Sequence, residues 1–161
     1  MSTRRLFSIA AASLALAACN PFHHEPVVQV NTGDVNLNSR WHGTLASPAR
    51  LSGALQVKGA VTMSPGSSPN TTVVTMNVSN AASGGLHPWE VRGGHCGSPA
   101  GVFGSAGDYE PISIDSDGRG SSTATVSQAS PTAGAYSAIV YAAPDNPQTV
   151  IACAKLAPPT P

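Results

Sequence analysis

The chain has 161 residues, 41% of them hydrophobic, 5% aromatic and 10% charged, with eight basic residues against eight acidic ones. A balanced charge with so few basic side chains offers no patch for nucleic acid or anionic lipid, and the scarcity of aromatics argues against an extended hot-spot surface. Sixteen glycines and fourteen prolines, with abundant Ser, Thr, Ala and Val, suit short strands joined by turns.

The chain opens with Arg4 and Arg5 followed by an apolar run, Leu6 to Ala18. This run is too short to span a bilayer as a helix and has the shape of a secretory signal peptide. Its end, Leu16-Ala17-Ala18-Cys19, resembles a bacterial lipobox. In that reading residues 1–18 are a lipoprotein signal peptide, and Cys19 becomes the first mature residue, acylated on its thiol and amino group. The alternative is an ordinary signal peptide with an incidental cysteine. Two or more acyl chains hold a protein stably on a membrane where one does not, so membrane lipid is the expected partner through Cys19. The expected location is the bacterial cell envelope, and Asn20 after the lipidated cysteine favours the outer membrane, facing the periplasm. Removal of Arg4 and Arg5 leaves six basic against eight acidic residues.

Residues 19–38 read as a flexible tether, with Pro21, Pro26, several asparagines and little apolar periodicity. His23-His24-Glu25 within it is a solvated cluster, with metal capture as the sharper alternative. From Arg40 onward strand signals recur, so residues 39–157 are expected to form one domain and 158–161 a tail.

Leu51–Met63 contains alternating stretches, and Ser64–Asn70 is a turn by its residue types. Thr71–Val78, rich in β-branched residues, should pair back across that turn. A central strand follows Asn80–Gly85, then a glycine-rich loop, Gly97–Gly107. Tyr109–Asp115 and Ser121–Val126 flank Asp117-Gly118, a hairpin signal. Ala135–Tyr141 and Thr149–Lys155 complete the set across the turn Pro144–Pro147. Seven or eight short strands without a helix mean an all-β antiparallel sandwich or barrel. Asp115–Gly120 begins like a calcium loop but lacks the distal glutamate and flanking helices, so it is read as a turn. No serine, histidine and acid can be assigned to a hydrolytic triad.

Most of the chemically interesting side chains fall in one stretch, Gly84–Cys96. Read as a strand, it sends Trp89 and Val91 to one face and Glu90 and Arg92 to the other. Glu90 and Arg92, two residues apart on one face, are close enough for an ion pair.

Gly85-Leu86-His87, two residues, then Glu90-Val91-Arg92, glycine and Cys96 resembles the Gly-Leu-His-Gly-Phe-His-Val-His-Glu strand of the copper/zinc superoxide dismutases. Val150-Ile151-Ala152-Cys153 is similar to that family's C-terminal Arg-Leu-Ala-Cys segment. The resemblance extends loosely over Ala54–Leu156 and implies a Greek-key sandwich with a Cys96–Cys153 disulfide. With Cys19 lipidated, that pair accounts for the other two of three cysteines in an oxidising compartment.

The departures bear on function. The family's copper-binding His-Val-His matches Glu90 and Arg92, and a further copper histidine matches Tyr141. The arginine that guides superoxide matches Val150. The loop carrying the bridging histidine and the zinc ligands is shortened to Gly97–Asp108, which contains no histidine. His87, with Trp89 beside it, matches a framework position rather than a ligand. Tyr141 joins Glu90 and Arg92 as a candidate polar site if the family's strand pairing holds.

The resemblance therefore implies the fold and the disulfide without the enzyme. The expected function is a catalytically inactive, membrane-anchored envelope lipoprotein with a binding or structural role. It has no cofactor, and its partner is an unidentified protein or small-molecule ligand. The competing expectation is a copper- or zinc-binding protein, or a dismutase-type oxidoreductase, with an unorthodox site built from His42, His87 and His95, with or without the His23-His24 arm.

Overall fold

The computed structural model describes residues 40–51 and 56–160. The expected signal peptide, Cys19 and the expected tether lie outside the described residues. Among the described residues ten strands run in chain order: β1 (Trp41–Ala46), β2 (Lys58–Pro65), β3 (Thr72–Ser79), β4 (Leu86–His87), β5 (Trp89–His95), β6 (Ser98–Val102), β7 (Ile112–Ser113), β8 (Gly120–Val126), β9 (Tyr136–Ala143) and β10 (Asn146–Leu156). Eight of them form one antiparallel sheet in the order β6-β5-β9-β10-β1-β2-β3-β8, curled into a half-barrel, while β4 and β7 pair separately. The chain is thus an all-β sandwich or barrel, as its composition predicts.

Alternation builds the sheet. In β3 the residues Thr72, Val74, Met76 and Val78 are buried and those between them are not. In β8, Ala124 and Val126 turn inward while Thr123 and Thr125 are exposed. β3 pairs with β8 although four strands intervene in the chain, and β5 pairs with β9. Long connections that return to lie beside an earlier strand are the Greek-key arrangement.

The concave side closes over Trp41, Leu45, Met63, Met76, Val91, Ile112, Val140 and Leu156, each nearly inaccessible. Both tryptophans resolve the conflict between a large apolar ring and a polar N–H in one way: Trp41 donates to the Pro131 carbonyl and Trp89 to the Glu110 carbonyl, each at 2.8 Å. Each ring also meets a tyrosine edge-on, Tyr136 for Trp41 and Tyr109 for Trp89, a favoured quadrupole arrangement.

Several segments differ from their sequence expectations. Alternation in Leu51–Met63 resolves into a 3-10 turn, Ala49–Leu51, and a strand that starts only at Lys58. The expected loop Gly97–Gly107 contains strand β6 and runs into a 3-10 turn, Ala106–Asp108, opened by a capping box between Ser105 and Asp108. Of Tyr109–Asp115 only Ile112–Ser113 is strand, because Tyr109 and Ile114 bury their side chains from irregular backbone. β10 is longer than expected, because the turn before it tightens to Pro144-Asp145.

The disulfide joins Cys96 to Cys153, 57 residues apart. It ties the β5–β6 turn to β10, across a sheet in which β9 lies between β5 and β10.

Candidate polar site on the outer face of β5 and β9

Strand β5 divides its side chains as its alternation requires: Trp89 and Val91 enter the core, while Glu90 and Arg92 lie on the opposite face. On β9, Tyr136, Ala138 and Val140 join or pack against the core, which leaves Ser137, Ile139 and Tyr141 on the outer face. The register sets Glu90 opposite Ile139, so Tyr141 is its diagonal neighbour, within reach of a long side chain.

These three polar residues meet at one atom. Glu90 Oε1 accepts from Arg92 Nη1 at 2.7 Å and from the Tyr141 hydroxyl at 2.7 Å. Arg92 is held a second time, by Nε–H donating to the Ala100 carbonyl at 2.8 Å. Glu90 is only 9% exposed. A carboxylate taken that far out of water is tolerable because it is paired and hydrogen-bonded.

The electrostatics follow from the packing. The Glu90 hydrogen bond raises the Arg92 pKa above its ordinary value, against an opposing desolvation effect. Burial raises the Tyr141 phenol, and donation to Glu90 raises it further. Tyr109, buried and donating to the Phe103 carbonyl at 2.6 Å, is raised chiefly by burial. The cluster is a guanidinium, a carboxylate and a neutral phenol, each satisfying another.

His87, on β4, is 7% exposed and meets the backbone of β9 at Tyr141 and Ala142. Its Nδ1 is 2.7 Å from the Ala142 carbonyl and 3.1 Å from that of Tyr141. An imidazole nitrogen facing two carbonyl oxygens is the donor, so His87 straps β4 to the end of β9 that carries Tyr141. Its Nε2 is buried without a hydrogen-bond partner among the described residues. A Cβ on residue 85 would stand 2.7 Å from that atom, which explains the glycine in Gly85-Leu86-His87.

The other candidate ligands do not join them. His95 is exposed at the end of β5, and His42 is half-buried on β1, where its Nδ1 lies 3.4 Å from the Arg40 carbonyl. Among the described residues, no three His, Cys, Asp or Glu side chains come together as a metal-binding group. The cluster itself does not fit copper or zinc. A guanidinium has no free lone pair to give a cation and its charge repels one, and Glu90, the cluster's single carboxylate, already has Oε1 engaged by two donors.

Two clefts open on this face. One, about 530 Å³, is lined by Glu90, Arg92, Tyr141, Gln148, Ile139 and Val150 among others. The second, about 500 Å³, is lined by Ala46, Pro48, Arg50 and the disulfide together with Pro99, Ile139 and Val150. Sequence reading reached Glu90, Arg92 and Tyr141. It missed the Ala100 carbonyl, Arg50 and Ile139, whose roles come from register and from the fold of the β5–β6 hairpin.

No family model, curated protein or solved structure matches this chain.

Proposed function

We propose that this protein is a membrane-anchored envelope lipoprotein with a superoxide dismutase-like sandwich that is catalytically inactive and serves a binding or structural role. The observation that carries this reading is the Glu90–Arg92–Tyr141 network. It fills the positions that the sequence resemblance matches to copper ligands with side chains that bond one another, one carboxylate beside a guanidinium, which is too few ligands for a metal centre. Support for the resemblance comes from the Cys96–Cys153 bond and from a Greek-key all-β fold. The lipid anchor is supported by the lipobox-like Leu16–Cys19 and by the stretch with prolines and asparagines, residues 20–38, that separates it in sequence from the first strand.

Two experiments test the two halves. Cells fed radiolabelled palmitate are expected to label the protein, and Cys19→Ser to abolish the label; label that survives the substitution would refute anchoring at Cys19. Protein refolded or dialysed with copper and zinc is expected to dismutate superoxide no faster than the free buffer. Chelator-sensitive activity that tracks protein concentration would refute the inactive reading.

A further inference from the structure

Ile139 is 2% exposed yet does not belong to the core cluster. Its register neighbours are Glu90 on β5 and Cys153 on β10, so it sits on the outer face, between the polar network and the disulfide. Pro99, Ile139 and Val150 line both clefts on this face. The two clefts therefore adjoin along an apolar seam of these three side chains, each cleft within the size range of small-molecule sites.

The two adjoining clefts, taken as one groove across this seam, differ in charge at their far ends. At one end Arg92 is neutralised by Glu90 at 2.7 Å, and its Nε is committed to Ala100. At the other end Arg50 is, among the described residues, the sole charged side chain lining its cleft. Arg50 has no carboxylate partner among the described residues; its Nη2 donates to the Val150 carbonyl at 3.1 Å, which fixes the guanidinium at the groove's rim. A guanidinium presents a planar fork that matches a carboxylate. An anchored cation beside an apolar trough that ends in a closed polar network is complementary to a molecule with one anionic head and an apolar body.

We propose that this groove binds a medium-chain monocarboxylate, its carboxylate on Arg50 and its chain over Val150 and Ile139 toward Tyr141. The proposal rests on the reading of this face as a binding face, and not on the membrane anchor. Arg50 is exposed, so the ion pair supplies selectivity and a modest share of the affinity; removal of the apolar chain from water supplies most of it.

The test uses the full-length chain carrying Cys19→Ser, which leaves every described residue unchanged, titrated calorimetrically with octanoate below its micellar concentration. Saturable binding of one octanoate per chain is expected, with 1-octanol weaker and octylammonium weaker still. Arg50→Gln is expected to weaken octanoate about fivefold, the scale of an exposed ion pair, and to leave 1-octanol unchanged. Val150→Trp, at a half-buried position lining both clefts, should abolish binding of both, with the thermal midpoint confirming that the variant is folded. Absence of saturable octanoate binding, equal affinity for 1-octanol, or indifference to Arg50→Gln would each overturn the proposal. Tight copper binding with octanoate binding intact would instead overturn the inactive-dismutase reading and leave this one standing.

Discussion

Replacing Cys96 and Cys153 together by serine perturbs the longest covalent constraint in the fold. The bond closes a loop of 57 residues that contains β6, β7, β8 and β9. In the chain-entropy account, releasing a loop of that size favours the unfolded ensemble by about 4 kcal/mol. For a domain of this length that corresponds to a fall in thermal midpoint of about 10–20 °C. The assay is calorimetric melting of wild type and double variant without reductant, with the wild type melted again in a phosphine reductant. The reduced wild type should melt with the variant. An unchanged midpoint, or a reduced wild type that melts like the oxidised one, would refute the pairing as a stabilising element of this sheet.

Other outcomes follow from the polar face and the turns. Glu90→Ala removes the shared acceptor of Arg92 and Tyr141 and should cost about 1–3 kcal/mol in urea unfolding; a neutral result would mean that the network contributes nothing net. Tyr141→Phe loses only one donor and should cost about 1 kcal/mol, and less than that when combined with Glu90→Ala, because the two residues share one hydrogen bond. The Tyr109 and Tyr141 phenols both have raised pKa values. Stability from keeping them neutral is therefore fully present below the unfolded value of 10.0 and is lost as pH climbs through their folded values. Tyrosinate absorbance of the native protein should lag behind that of the urea-unfolded chain above that pH; coincident titrations would contradict the burial. Gly104 has φ +81°, and a Cβ there would overlap Val126 of the core. Gly104→Ala should cost about 1–3 kcal/mol by strain and overpacking, read as a lowered urea midpoint.

How much of this is legible in the sequence depends on whether a residue's role is local. Thr71–Val78 and Ser121–Val126 declare themselves as strands because their alternation matches the pleat, and they form β3 and β8. The split of Trp89 and Val91 from Glu90 and Arg92 is the same rule within one strand. Strand β6 is hidden because Ser98-Pro99-Ala100-Gly101 has little intrinsic β-preference; pairing with β5, next to a disulfide-bound turn, makes it a strand. The meeting of Tyr141 with Glu90 depends on the β5–β9 register, which no spacing encodes, and only the resemblance to the dismutase strand pattern anticipates it. Ile139 reads in sequence as one more core residue of Ala138-Ile139-Val140, because three consecutive apolar residues on a strand hide which face each serves.

The central claim is that Glu90, Arg92 and Tyr141 form a self-satisfied network in place of a metal centre. Its most direct test is competition titration of the full-length chain with copper and zinc against chelators of graded affinity, with bound metal quantified by mass spectrometry. The account predicts no stoichiometric copper or zinc at any affinity above that of scattered surface histidines, and a metal content unchanged by Glu90→Ala. One equivalent of copper held tightly, and lost on replacing Glu90 or Tyr141, would contradict it.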